Sequence, residues 1–216
     1  MSIQPEKAIE RSVDSIARIY AVVIALAISM SFQTLFKDDN GVIRFELNSI
    51  LSATPALVAF MFTLVPFWHG MNRHLDRCYL EKSEVVAQGA LLIDFSVFFL
   101  ESGILFATAL TLRLGLIPYY CLAFLLALDM IWSLVSHYIH FPKRKSHAMK
   151  WSKINIVFIF VGLLVIAFPF DMKTIVLTAL AVLRSIVDYW LCWDFYFPTE
   201  EHANTDAPPI DSTTPA

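Results

Sequence analysis

The feature that most constrains this chain is a succession of six apolar segments, each long enough to cross a lipid bilayer. An apolar helix of about 20 residues spans the roughly 30 Å hydrocarbon core of a membrane, and such a helix satisfies its own backbone hydrogen bonds there. The sequence therefore predicts an all-α, multi-pass membrane protein in which six transmembrane helices form one bundle. The predicted spans are residues 17–36, 50–68, 89–112, 116–139, 154–170 and 174–196.

Composition agrees with a chain that lies mainly in the membrane. Apolar residues make up 57% of the 216 residues and charged residues 16%, against about 45–50% and about 25% in soluble domains. We predict an amphipathic interfacial helix at 1–16, where Ile9, Val13 and Ile16 share one face, and a membrane domain at 17–197. Residues 198–216 form an acidic, proline-containing tail whose composition is typical of disorder.

The basic residues predict the orientation, because Lys and Arg of short loops gather on the cytoplasmic side. With a cytoplasmic N-terminus, eleven basic residues lie inside and four outside, and Arg184 lies within span six. We therefore predict two cytoplasmic termini, in a plasma or inner membrane. The inner group is Lys7, Arg11, Arg18, Arg73, Arg77, Lys82, Lys143, Arg144, Lys145, Lys150 and Lys153, and the outer group is Lys37, Arg44, Arg113 and Lys173.

Five ionisable residues lie inside the predicted spans, where a charge needs a partner or water. On span three, Asp94, Glu101 and Thr108 are seven residues apart and therefore share one helix face. On span six, Arg184 and Asp188 are i,i+4 neighbours that we expect to pair, together with at least one carboxylate of span three or four. The second stripe, on span four, consists of Asp129, Ser133, Ser136 and His140.

These polar stripes have two interpretations. Buried polar groups commonly hold membrane helices together, and the stripes then form a structural network. Four carboxylates against one arginine leave an excess of negative charge, however, and burial favours the neutral form of a carboxyl group. Groups that alternate between neutral and charged forms are suited to a hydrated pathway for protons or cations.

Histidines gather at the predicted cytoplasmic ends of spans two and four, and they too have more than one interpretation. They can belong to the belt of amphipathic rings at the membrane interface. They can also bind anionic lipid headgroups or a soluble partner, together with the basic loop from Lys143 to Lys153. A third interpretation is a single metal site, which needs three ligands and a water. The metal ligands would come from His69, His74, His140 and Asp76. The whole cluster consists of His69, Arg73, His74, Asp76, Arg77, His137 and His140.

Several classes of function have no support in the sequence. The six glycines are scattered singly, so no phosphate-binding loop is formed, and no nucleophile elbow or His-Glu-x-x-His motif occurs. The three cysteines show no metal-binding spacing. We therefore predict no cofactor, no resident metal and no nucleic-acid partner, and we favour a role other than that of an enzyme.

The function that the sequence favours is an oligomeric membrane protein, assembled from copies of this chain, that passes ions or protons. It would act as a channel-like pore or as a membrane effector gated by a partner. One alternative is a lipid-modifying membrane enzyme that uses the cytoplasmic His/Asp cluster as a metal site. The other is a non-catalytic membrane scaffold or assembly factor.

The predicted topology can be tested with reporter fusions at three positions. We expect a reporter after Asn40 to behave as external, and reporters after Ser146 and Ala216 to behave as cytoplasmic, because of the distribution of basic residues. A cytoplasmic signal at Asn40, or an external one at Ser146, would contradict the six-span arrangement.

Overall fold

The computed structural model describes residues 5–37, 42–43, 45–81, 89–140, 147–169 and 171–198. Within these ranges the regular structure is helical, with short turns between the helices and one antiparallel bridge between Lys37 and Ile43. Six of the helices are long and apolar enough to cross a membrane, so the predicted class of fold is confirmed. The helices are α1 (Pro5–Phe36), α2 (Leu47–Leu75) with a π-helical extension (Asp76–Leu80), α3 (Ala90–Leu110), α4 (Ile117–His140), α5 (His147–Ala167), α6 (Lys173–Leu191) and α7 (Trp193–Tyr196).

The six long helices form a ring, and α2 is its most connected member. Around the ring, α1 packs on α3, α3 on α4, α4 on α5, α5 on α6, and α6 on α2, which returns to α1. In addition, α2 contacts α3, α4 and the short helix α7. Large apolar side chains such as Phe99, Phe124 and Trp190 are exposed on the outside of the ring, as expected of surfaces that face lipid.

Helix α2 contains two prolines, and α6 donates a hydroxyl hydrogen bond to α2 near each of them. Proline has no N–H, so Pro66 cannot donate to the carbonyl of Phe62 one turn earlier. The Ser185 hydroxyl of α6 donates to that carbonyl instead. At the other proline, the Thr178 hydroxyl lies 2.8 Å from the carbonyl of Pro55 itself and donates to it. Membrane helices tolerate proline where a neighbouring helix satisfies the freed carbonyl, as Ser185 does for Phe62. Both hydroxyl contacts also join α2 to α6.

The two ends of the bundle are closed by different arginines, which we use to name them. At the Arg113 end, Arg113 donates to the Lys37 carbonyl at 2.5 Å and to the Ser49 hydroxyl. At the Arg73 end, Arg73 Nη1 lies 2.6 Å from Glu81 Oε1, and Arg73 Nε lies 3.0 Å from the Phe195 carbonyl. Each arginine therefore joins segments that are far apart in the sequence.

Two predicted span ends were wrong. Helix α2 does not stop at residue 68 but continues to Leu75 and then into the π-helical turn, because its last turns bury Met71, His74 and Leu75 inside the bundle. Helix α6 ends at Leu191 rather than at Tyr196, since Cys192 leaves the helical conformation with φ −114° and ψ 23°. Both differences lie at the Arg73 end.

The amphipathic segment before span one belongs to the same helix as the span itself. Helix α1 runs without a break from Pro5 to Phe36. Val13 and Tyr20 are buried, whereas Ile9 is exposed, so only part of the predicted apolar stripe packs against other helices. Of the predicted tail at 198–216, Pro198 is described and the remainder lies outside the described residues.

Candidate functional site

The polar stripe of α3 faces the interior of the bundle. Asp94, Glu101 and Thr108 are at most 2% exposed, as their seven-residue spacing predicts for one helix face. They do not share one environment, however. The Thr108 hydroxyl donates 2.8 Å to the Ile104 carbonyl of its own helix, among buried apolar residues that include Leu105, so the polar part of the stripe ends at Glu101.

Asp94 is bound by two side chains from the end of α2. Nε2 of His74 lies 3.2 Å from Asp94 Oδ2, and the Tyr79 hydroxyl donates to the same oxygen at 2.5 Å. The π-helical turn that carries Tyr79 inserts an extra residue into the helix register, a feature that is frequent at functional sites. Sγ of Cys78 is equally far, 3.8 Å, from both nitrogens of the His74 ring. The thiol therefore lies beside the ring rather than opposite one nitrogen.

Arg184 is at the centre of a second buried group. Its Nη2 lies 3.6 Å from Asp188 Oδ2, so the predicted pair within α6 is present. Its Nε and Nη2 also donate to the side-chain oxygen of Asn155 at 3.2 and 3.0 Å. Asn155 in turn donates 2.5 Å to Asp129, and the guanidinium lies over the Phe67 ring at 5.3 Å. The expected link to a carboxylate of span four is therefore made through the Asn155 amide.

These groups surround a cavity of about 40 Å3, which we call the polar chamber. A cavity needs roughly 10–15 Å3 on this measure to hold one water molecule, so the chamber has room for about three. Of the residues in the predicted stripes and the predicted pair, Glu101, Asp129, Ser133, Ser136, Arg184 and Asp188 line it. The lining residues are Pro66, Phe67, Gly70, Met71, His74, Phe98, Glu101, Asp129, Trp132, Ser133, Ser136, Trp151, Arg184, Asp188 and Tyr196.

Several buried polar atoms of the polar chamber are not satisfied by protein. Within the described ranges, Glu101 Oε1, Ser136 Oγ, Arg184 Nη1 and Asp188 Oδ1 have no hydrogen-bond partner. The residues that carry them are at most 3% exposed. Buried polar groups are almost always paired with protein or with ordered water, so this chamber is suited to hold water or a small polar ligand.

A second cavity of about 60 Å3 begins at Arg184 and extends toward the Arg113 end; we call it the apolar chamber. Only three of its lining side chains are polar, namely Thr63, Tyr119 and Arg184. Tyr119 reaches α6, where its hydroxyl donates 3.0 Å to the Thr174 carbonyl. The remaining lining residues are Leu122, Ala123, Leu126, Phe158, Ile159, Gly162, Ile166, Leu177, Leu180 and Ala181.

The predicted histidine and arginine cluster is divided among separate interactions. His69 lies 3.3 Å from the Tyr189 hydroxyl and packs on the Tyr196 ring. His74 belongs to the buried Asp94 group, and Arg73 interacts with Glu81 and, at 3.9 Å, with Asp76. The half-buried Arg77 lies on the π-helical turn, and half-buried His137 packs against Tyr138. The His140 side chain and residues 141–146 of the basic loop lie outside the described residues.

This division does not favour the alternative of a metal enzyme. Among the residues that the structure describes, no group of three or more His, Cys, Asp or Glu side chains is arranged to hold a metal ion. His69 and His74 have different partners, and a structural or catalytic zinc site needs at least three protein ligands on one ion. The described geometry therefore centres on the polar chamber.

Three members of the buried network were missed by sequence reasoning. Asn155 was overlooked because uncharged amides were not considered, although an amide among Ile154, Ile156 and Val157 is itself a signal for an interhelical hydrogen bond. Tyr79 and Tyr196 lie near or beyond the ends of the predicted spans, where the sequence alone does not indicate a buried partner. Their hydroxyls instead donate to the buried carboxylates.

No protein-family model, no curated protein and no solved structure matches this chain. The geometry of the polar chamber is therefore the basis for assigning a function.

Replacing Arg184 tests the buried network. We expect Arg184→Leu to lower the free energy of unfolding by about 3–5 kcal/mol, because Asp188 and Asp129 lose their buried counter-charge. The double variant Arg184→Leu/Asp188→Leu should regain part of that loss, since an apolar pair often replaces a buried ion pair at little cost. Thermal unfolding in detergent measures both effects.

The matched control is Lys173→Leu at the start of α6. Lys173 donates 2.7 Å to the Ile166 carbonyl and has no part in the buried network, so its loss should cost about 1.5 kcal/mol, clearly less than the loss of Arg184. Equal destabilisation by Arg184→Leu and Lys173→Leu would contradict the central position of Arg184.

Proposed function

We propose that this protein resides in a membrane and passes protons or small cations through the polar chamber inside its bundle. The observation that carries the proposal is the side chain of Glu101. It is 2% exposed and lines the chamber, and its Oε1 has no hydrogen-bond partner among the described residues. A carboxyl group at this depth requires a partner or water, and the space beside it is suited to supply a hydrated proton or a cation.

The size of the polar chamber favours protons over hydrated metal ions. With room for about three water molecules, it is too small for an ion with a complete hydration shell. A proton needs only hydrogen-bonded waters and titratable side chains. His74, Glu101, Asp129 and Asp188 all line the chamber, and each can accept and release a proton.

Arg184 separates the proposed path into two parts. The polar chamber connects Arg184 to the Arg73 end, and the apolar chamber extends from Arg184 toward the Arg113 end. The positive charge of Arg184 repels a cation that approaches it through the polar chamber, and apolar walls hold water poorly. The apolar chamber is therefore the barrier of the path. Hydrophobic constrictions gate channels by excluding water, and the proposed barrier acts in the same way.

The proposed path lies within one protomer. Asp94, Glu101, Ser133 and Ser136 are buried inside a single bundle, whereas exposed faces of α3 and α4 carry large apolar residues such as Phe124. An assembly of several copies is therefore not needed to enclose the path. The homo-oligomer expected from the sequence stays a prediction about how the protein is organised in the membrane.

The orientation and the partners belong to the same proposal. The bias of basic residues supports cytoplasmic termini and places the Arg73 end on the cytoplasmic side of a plasma or inner membrane. Lys150 and Lys153 of the basic loop are exposed at that end. Exposed lysines there are suited to contact anionic lipid headgroups or an acidic soluble partner.

A charge-removing substitution at Glu101 tests the function. We expect Glu101→Gln to keep the fold, because the amide has the same shape, and to reduce proton flux in proteoliposomes at least about tenfold, in the range of effects seen when one proton-transfer group is removed. A pH-sensitive dye inside the vesicles measures the flux after a pH jump.

The matched control is Glu46→Gln. Glu46 precedes α2, is exposed and makes no side-chain capping bond, so its replacement should leave the flux unchanged. If wild-type flux is present and Glu101→Gln leaves it unaltered, the polar chamber is not the path. If Glu101→Gln changes only the stability of a protein that has no flux, the network has a structural role.

A further inference from the structure

A short helix contributes to the wall of the polar chamber at its Arg73 end. Helix α6 stops at Leu191, and Cys192 adopts a non-helical conformation before α7 (Trp193–Tyr196) begins. Phe195 and Tyr196 are buried, and Tyr196 forms part of the chamber wall beside Asp188 and Trp151. The segment after Cys192 therefore borders the chamber at this end.

The side chain of Tyr196 fastens α7 to the polar network. Its hydroxyl donates 3.1 Å to Asp188 Oδ2, the carboxylate oxygen that also faces Arg184. Gly70 of α2 lies beside this contact: a Cβ atom at that position would meet the Tyr196 hydroxyl oxygen at 3.4 Å, an ordinary van der Waals distance.

Arg73 holds α7 from the outside. Its Nε donates 3.0 Å to the Phe195 carbonyl, and its guanidinium lies 5.9 Å from the centre of the Phe195 ring. The Phe195 ring also packs edge-on against Trp151 of α5 at 4.6 Å. Arg73 does not line the polar chamber, so this contact restrains α7 without belonging to the network.

We infer that α7 is a lid on the polar chamber, hinged at Cys192 and latched by the hydrogen bond from Tyr196 to Asp188. The lid depends on the proposed function only for its effect on proton flux. The contacts that hold it closed are present in the bundle whether or not the protein passes protons. In the closed state the chamber is separated from water at the Arg73 end. Opening the lid admits water to Glu101 and Asp188.

Cys192 is a native reporter of the lid. Its side chain is 0% exposed, and burial raises the pKa of its thiol to about 12, with the negative charge of Asp188 adding to the effect. Since the thiolate is the reactive form, Cys192 reacts slowly with thiol reagents while the lid is closed. Opening exposes the thiol, lowers its pKa toward the ordinary value and increases the rate.

The experiment follows the modification of Cys192 by N-ethylmaleimide, located by mass spectrometry, in the full-length protein in liposomes. We expect Tyr196→Phe to increase the rate about tenfold, the change expected when one hydrogen bond to a charged group is lost. Arg73→Gln should increase the rate as well, because it releases the lid from the other side. Proton flux, measured in the same vesicles, should rise in both variants.

Tyr189→Phe is the matched control. Tyr189 also carries a half-buried hydroxyl hydrogen bond, with His69, but it does not line the polar chamber, so the Cys192 rate should stay at the wild-type value. Thermal unfolding of each variant separates lid opening from a general loss of structure. If the rate of Cys192 modification rises in proportion to the loss of stability, and rises equally in Tyr189→Phe, the lid is overturned.

The two readouts distinguish the lid from the proposed function. Faster Cys192 modification without proton flux in any variant supports the lid and contradicts the proposed function. Flux that falls in Glu101→Gln, together with Cys192 rates that are the same in wild type, Tyr196→Phe and Arg73→Gln, overturns the lid and leaves the proposed function standing. Reduced flux in Tyr196→Phe at an unchanged Cys192 rate also overturns the lid, since Tyr196 would then be a member of the proton path.

Discussion

The arrangement of the bundle depends on the positive charge of Arg184. A guanidinium inside the hydrocarbon region costs at least about 3 kcal/mol unless the protein supplies partners. Here Asp188 supplies the counter-charge, Asn155 accepts two of the guanidinium hydrogens, and Phe67 covers its face. Since these partners come from three helices, α2, α5 and α6 must meet at this point, and Asp129 brings α4 to it through Asn155.

The same interaction explains why the polar chamber and the apolar chamber meet at one residue. On the side of Asp188 and Asp129, polar side chains surround Arg184, and the space between them is the polar chamber. On the other side, Arg184 has no further carboxylate among the described residues that line the apolar chamber, whose walls are almost entirely apolar. The proposed path needs both a site that attracts a proton and a barrier that prevents a leak, and the two chambers are suited to these two roles.

The sequence predicted which residues are buried better than it predicted their partners. Spacing along a helix was enough to place Asp94 and Glu101 on one interior face, because helix periodicity is local. It also predicted the pair of Arg184 and Asp188 within one helix. It did not predict that His74 reaches Asp94 from another helix, since that contact depends on α2 continuing beyond its apolar run.

Two further residues show the limit of sequence reasoning about this site. Thr108 has the correct spacing for the α3 stripe but bonds within its own helix, because a hydroxyl can use the carbonyl one turn back. Asn155 joins two charged groups, yet it belongs to no stripe on α5. Such roles depend on which helices pack side by side, and that arrangement follows from the whole bundle rather than from one segment.

The most direct test of the central claim is proton flux through the purified wild-type protein in liposomes. A pH gradient is imposed, the membrane potential is held at zero with potassium and valinomycin, and internal pH is followed beside protein-free vesicles. The buried, partly unsatisfied carboxylates predict that the gradient decays faster with the protein present. Decay no faster than in protein-free vesicles, at every pH tested and with anionic lipid in the vesicles, would contradict it.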